Sequence, residues 1–336
     1  MNARRAANQR LGGEYDARVL EPSPPAVTEG PWLACDPVND GEPDATGRPV
    51  VKPVTGADTT WDDLCHDDRE LADWCAARWL GAWRPLPPAP EPGRLAATRA
   101  SLHALAEHVL SPARHAANGK IGLRFTRGGF GTPFFRDDAG DDKQVRVEGD
   151  ELVVDLGEAT HRAPITTVGT AADFARCAAG APVGAGYDEA GVRGVYEPTT
   201  PFAPDAPLVI DPDSARFLGD WFGFAAGVLE QLRAEADDAD QPARVQLWPE
   251  HFDLSVDLGD DAAGARGTFG ASPGDEAHDN PYLYVTHWAD ADPDRFWNDG
   301  AFDGASLSLP ELVPARDQRA AALDFLRSGR RVLRSS

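Results

Sequence analysis

QVRVEGDELVVDL, residues 144–156, decides the fold. Val145 and Val147 alternate with Gln144, Arg146 and Glu148. After Gly149-Asp150 the alternation resumes through Leu152 and Val154. Two period-two runs joined by a two-residue turn pair predict an antiparallel hairpin, a pairing that needs no crossover helix. Further strands are expected at 121–126, 164–168, 207–210, 245–248, 251–258, 267–269 and 282–288. Helices are expected in separate blocks. One runs over 95–117 on a Leu95, Leu102, Leu105, Val109 stripe and stops at Asn118-Gly119. A short one follows Thr170, and a last one covers 315–327. The strongest begins at Asp211-Pro212, a cap residue followed by proline at the first helical position. It carries Leu218, Trp221, Phe222, Val228, Leu229 and Leu232 on one wide face. Blocks of this kind, without strict βαβ alternation, predict an α+β fold with a mostly antiparallel sheet packed by helices.

The chain of 336 residues divides by composition. Residues 1–60, rich in Pro, Asp and Gly, read as an extended Pro-rich N-terminal arm, partly disordered at its start. Residues 61–92 read as a helix followed by a stiff proline linker, RPLPPAPEPGR. Residues 93–336 form the α+β core domain. Residues 327–334, RSGRRVLR, are basic and are expected to compensate charge at the end of the last helix.

The net charge is −23, with 55 Asp plus Glu against 32 Lys plus Arg, of which only three are lysine. That sign repels phosphate backbones and anionic lipid, so neither nucleic acid nor a membrane surface is an expected partner. The expected ligand is small, and neither cofactor nor oligomeric state is legible. The four cysteines, Cys35, Cys65, Cys75 and Cys177, show no CxxC spacing and read as free thiols in a reducing cytoplasm.

Two stretches carry candidate chemistry. In LWPEHFDLSVDL, residues 247–258, a strand puts Phe252, Leu254, Val256 and Leu258 on one face. His251, Asp253, Ser255 and Asp257 fall on the other. An imidazole and a carboxylate two residues apart suit general acid/base work, and His251 and Asp253 are the expected catalytic pair. If a downstream strand pairs with this one, Tyr282 or Tyr284 is expected to border that row, and Tyr284 is taken as ligand-binding. A metal-dependent hydrolase using His251, Asp253 and His278 or His287 is a further reading, with irregular ligand spacing. The second stretch is KIGLRFTRGGFGTPFF, residues 120–135. Glycines let backbone N–H groups approach an anion, so Arg124, Arg127, Gly128, Gly129 and Gly131 are the expected ligand-binding set. His108 and His115 are expected on the flank of their helix, facing solvent or a partner.

TTWDDL, WCAARWLGAW, SLHALAEHVLSPARHAANGKIGLRFTRGGFGTPFF, QVRVEG and LWPEHFDLSVDL together resemble a group of uncharacterised proteins from actinobacteria and related GC-rich organisms. The resemblance spans most of residues 14–330. It implies a cytoplasmic bacterial protein and carries no activity or catalytic residue. The expected function is a small-ligand cleft along the 251–257 strand with acid/base enzyme activity. The rival readings are a non-catalytic protein-interaction module and the metal-dependent hydrolase.

Overall fold

The computed structural model describes residues 85–126, 128–133, 135–136, 142–156, 159–177, 196–289 and 294–335, together with three short strands nearer the N-terminus. Those strands, β1 (Cys35–Pro37), β2 (Val50–Pro53) and β3 (Thr59–Thr60), pair antiparallel where the extended arm was expected. The helix expected after Thr60 lies outside the described residues.

The hairpin that opened the reading is present. β7 (Asp142–Glu148) and β8 (Glu151–Leu156) pair antiparallel, with Glu148 opposite Glu151 across the turn and Gly149 at φ 64°. Only glycine takes that left-handed conformation without strain. The hairpin sits in a sheet ordered β4 (Arg124–Thr126), β5 (Gly129–Gly131), β7, β8, β9 (Ala159–Pro164), with β6 (Phe135–Arg136) on β7. A second sheet is a plain meander. It comprises β10 (Gln246–Trp248), β11 (Asp253–Leu258), β12 (Gly267–Ser272), β13 (Tyr282–His287) and β14 (Gly304–Ser308), every neighbour antiparallel. Leu123 and Leu247 exchange both backbone hydrogen bonds, at 2.7 and 2.8 Å, and stitch one sheet to the other. The fold is α+β with antiparallel sheets and packed helices.

The helices are α1 (Pro92–Leu105), α2 (Ser111–Asn118), α3 (Val168–Cys177), α4 (Pro212–Ala234), α5 (Leu309–Leu312) and α6 (Gln318–Leu333). α4 is the central helix that its apolar face predicts. It packs on β4 and β5 of one sheet, on β11 and β12 of the other, and on α1 and α6. Trp221, Phe222, Ala225, Val228, Leu229 and Leu232 are wholly buried. Asp211 caps it, its Oδ1 accepting from the Ser214 N–H at 2.9 Å. Gly219 lets the helix touch the β4–β5 turn: a Cβ there would lie 2.5 Å from the Gly128 carbonyl oxygen.

Several expectations are corrected. The 95–117 helix is interrupted by a π-helical segment, Ala106–Leu110, before α2 ends at Gly119 with φ 73°. A π turn inserts a residue and rotates everything after it. His108 therefore turns inward and is buried, with Nε2 3.2 Å from the Thr200 carbonyl, rather than facing solvent or a partner. The strand expected at 164–168 is instead β9, which ends at Pro164. It lies exposed along the sheet edge and shows no apolar alternation. Residues 207–210, expected as a strand, join no sheet among the described residues. Ser101 holds both backbone groups of Val209, its Oγ accepting from the N–H at 2.9 Å and donating to the carbonyl at 3.0 Å. β14 and α5 were not foreseen.

The proline-rich run is pinned where it meets the core. Leu86 is buried, and Gln318 of α6 accepts from its N–H at 2.6 Å and donates to its carbonyl at 3.1 Å. The basic C-terminal stretch pairs with the acidic segment after α4. Arg327 binds Glu235, Arg330 binds Asp240, and Arg334 reaches Asp240 at 2.7 Å. The compensation thus runs between two helix ends rather than along one. Among the described residues no helix is long and apolar enough to cross a membrane.

Candidate functional site: a cleft on the meander

The register of the meander sorts its side chains into two faces. Leu254, Val256, Phe269, Ala271, Leu283 and Val285 point into the core beneath α4 and α6. Across the strands the opposite face aligns Ser255, Gly270 and Tyr284, and likewise Asp257, Thr268 and Thr286. Asp253, at the start of β11, and Ser272 with Tyr282 continue that face. This polar face floors a cleft of about 1110 Å³. Its walls come from Arg99 and His103 on α1, from Thr199 and Thr200, and from the 274–278 loop with Phe302.

Asp253 is the centre of the floor. It is 6% exposed, although a lone alternating pattern places it on the solvent side. One carboxylate oxygen accepts a short hydrogen bond from the Tyr284 hydroxyl. The other, Oδ1, is buried with no hydrogen-bond partner among the described residues. Burial pushes the Asp253 carboxyl up to about 6, against the Tyr284 bond and the His251 charge, which pull it down, while Glu250 adds to the rise. Burial and the adjoining Asp253 charge push the Tyr284 hydroxyl well above its ordinary value, so the phenol stays protonated and donates. Gly270 makes this pair reachable. Tyr284 lies across it, and a Cβ on residue 270 would come within 2.3 Å of the ring.

His251 does not share the strand face as expected. The β10–β11 connection is a four-residue loop closed by Trp248 opposite Asp253, with the Phe252 N–H donating to the Trp248 carbonyl at 2.8 Å. Phe252 takes φ 53°, a left-handed conformation that costs energy for a bulky residue. Packing holds it there: the ring is buried against Phe130 and Phe222, at centroid distances of 5.0 and 5.4 Å. The strand therefore starts at Asp253. His251 stands in the turn before it, exposed on the cleft wall beside Glu250.

A wall residue, His103, and a buried residue behind the wall, Glu107, escaped the sequence reading. His103 stacks on Phe252 at 5.2 Å, and its Nε2 lies 2.8 Å from the Pro249 carbonyl. A carbonyl only accepts, so Nε2 carries the proton and Nδ1 is the acceptor of the neutral ring. Burial holds His103 below its ordinary value despite Glu107 at 3.6 Å. Glu107, on the π segment, is wholly buried and gathers the 199–200 strip. Its carboxylate accepts from the Thr199 N–H at 2.7 Å, the Thr200 N–H at 2.8 Å and both threonine hydroxyls. A glutamate beside a histidine inside an apolar helical run, LAEHVL, was the signal available.

At the far wall Tyr282 donates to Asp275 at 2.6 Å. His278 bridges Asp275 and Asp299 at 3.2 and 3.1 Å. His287 pairs with Asp303 at 3.2 Å. Among the described residues no three or more His, Cys, Asp and Glu side chains are placed to hold one metal ion.

The glycine-rich stretch lies elsewhere, and Arg127 is outside the described residues. Gly129 and Gly131 form the inner strand β5 and spend their lack of a side chain on the backbone. A Cβ on Gly129 would meet the Val147 carbonyl at 2.3 Å, and one on Gly131 the Arg146 Cβ at 2.4 Å. Gly128 turns against α4. The Arg124 side chain reaches the Phe125 carbonyl at 3.4 Å. Of the expected site residues, the cleft brings together His251, Asp253 and Tyr284, and does not include Arg124 or Gly128–Gly131.

No protein-family model matches the chain, and neither does any curated protein or solved structure.

Proposed function

We propose that the cleft binds a small molecule and that Asp253, positioned by Tyr284, exchanges a proton with it. The observation that carries this reading is one carboxyl group. Asp253 is buried on the floor, hydrogen-bonded among the described residues through one oxygen, and poised near neutrality. A group with a pKa near 6 is populated in both protonation states at physiological pH, which general acid/base chemistry requires. His251 on the wall is the second proton carrier, and neutral His103 offers an acceptor nitrogen. A cleft of about 1110 Å³ is of the size that takes a small molecule.

An interaction module needs an exposed apolar patch. Among the described residues Val209 and Trp288 are the large apolar side chains left exposed, and only Trp288 borders the cleft. The acidity of the chain also sets the reading against a nucleic-acid partner.

A fragment screen by NMR tests this. Fragments that bind are expected to shift the amide signals of Asp253, Ser255 and Tyr284, and Asp253→Asn is expected to change which fragments bind. Hits that cluster elsewhere and leave those signals in place would contradict the proposal.

A further inference from the structure

Trp288, just past the end of β13, is 53% exposed and borders the cleft. It is nevertheless held in place. Its indole N–H donates to the Thr268 hydroxyl at 3.0 Å. The Arg266 guanidinium lies 4.9 Å from the ring centroid. Arg266 is itself fixed by the Gly259 and Gln241 carbonyls, at 3.0 and 3.2 Å. An indole anchored at its edge and backed on one face presents its other face as a rigid platform. Holding a ring in its bound position in advance lowers the entropy lost when a ligand stacks on it.

The charges around the platform select what can stack there. Arg266 already engages the ring's electron-rich quadrupole, so a second cation on the opposite face meets a positive field. Anions meet Asp253, Asp257, Glu250, Asp275 and Glu276 on the same cleft, with Arg99 the arginine among its lining residues. Arg99 is occupied by the Pro273 and Asp275 carbonyls, at 3.4 and 3.2 Å. Those carboxylates would attract a cation elsewhere in the cleft, but on the ring itself, with Arg266 behind it, the fitting ligand is neutral, with an apolar face for the ring and hydroxyl edges for the floor. The floor offers Asp257 and Thr286, with Asp253, Ser255 and Ser272 nearly buried beside them. The register puts Thr268, which holds Trp288, opposite Asp257, four residues along β11 from Asp253. At about 3.3 Å per residue the two ends of the floor lie ~13 Å apart, longer than a single pyranose ring.

We infer that the cleft takes a neutral saccharide of at least two units, one stacked on Trp288 and another hydrogen-bonded over Asp253. This names the ligand class of the site proposed above and rests on that reading.

The test is calorimetric titration of the full-length protein with neutral trisaccharides (maltotriose, cellotriose, chitotriose and mannotriose), with spermidine as the cationic probe and glucose 6-phosphate as the anionic one. At least one neutral trisaccharide is expected to bind more tightly than either charged probe. Trp288→Ala is expected to weaken that binding about tenfold, the scale of one lost aromatic contact, and Trp288→Phe to retain most of it. Trp288 is half exposed, so both variants are expected to fold. Saccharide binding that Trp288→Ala leaves unchanged would overturn the placement. Preference for spermidine or glucose 6-phosphate would overturn the class. Failure of every trisaccharide while fragments still shift Asp253 would overturn the saccharide assignment alone. Failure of both would remove the cleft reading as well.

Discussion

The two sheets carry polar faces of similar composition and resolve them in opposite ways. On the outer face of the β7–β9 hairpin series the charges close on one another. Arg146 binds Asp155 at 2.9 Å and Glu148 at 2.6 Å, and Arg162 binds Glu148 at 2.8 Å and Glu151 at 3.1 Å. On the meander, Asp253 accepts from one phenol, and its Oδ1 is buried with no hydrogen-bond partner among the described residues. The first arrangement is a satisfied surface. The second leaves a buried acceptor without a bond, which costs stability. The same alternation along a strand thus produces a surface or a site. The difference lies in which residues face the strand from elsewhere.

Four substitutions probe that contrast, and the largest effect belongs to the helix both sheets share. Trp221→Ala is expected to cost ~3–5 kcal/mol, the range for removing a large buried aromatic, read as a lowered urea midpoint. An unchanged midpoint would mean that the sheets do not depend on α4.

Asp253→Asn comes next and has the opposite sign. Asp253 titrates at about 6 in the folded chain, above its unfolded value, so its protonated form favours folding. Its contribution is present below the unfolded pKa and is lost as pH rises from about 4 through about 6. Asparagine keeps an acceptor for Tyr284 without the charge. The variant is expected to be more stable than the parent by ~2–3 kcal/mol at pH 8 and about equal to it at pH 4, in chemical denaturation at both pH values. Destabilisation at pH 8 would mean that the buried charge has a partner after all.

Arg146→Ala opens the ladder and is expected to cost ~1–2 kcal/mol, less in high salt, because its pairs are only partly buried. The smallest effect is that of Glu148→Gln. Burial alone would raise Glu148, but Arg146 and Arg162 outweigh it and hold the carboxyl below its ordinary value. Its contribution is present above the unfolded pKa and is lost as pH falls through the folded value. The parent is therefore expected to exceed this variant most at neutral pH and least in acid, the reverse of the Asp253 profile. Matching slopes for the two variants would erase the contrast between the faces.

Local chemistry made part of this legible. Gly149-Asp150 marked a turn that only a two-residue hairpin satisfies, and Asp211-Pro212 marked the start of α4 because both residues act within one turn of chain. The alternation of Phe252, Leu254, Val256 and Leu258 identified the buried face of β11. What stayed hidden depends on contacts distant in sequence. The π segment, and with it the inward turn of Glu107 and His108, is tied to residues 199–200, more than ninety positions away in the case of Glu107. β9 pairs through its backbone and through polar side chains, Thr160 and Arg162, so it left no apolar periodic trace. His251 left the strand because Phe252 is fixed in a left-handed turn by a core assembled from α4 and β5. Gly128, Gly129 and Gly131 were expected to let an anion approach. In the fold the close neighbour of all three is strand β7.

The most direct test of the account is a pH titration of the Asp253 carboxyl carbon by NMR, assigned by the loss of its signal in Asp253→Asn. The account predicts an apparent pKa near 6, coupled to a change at the Tyr284 ring. A midpoint near 4, with the tyrosine indifferent to it, would show an ordinary solvated carboxylate and contradict the assignment of a site to this face.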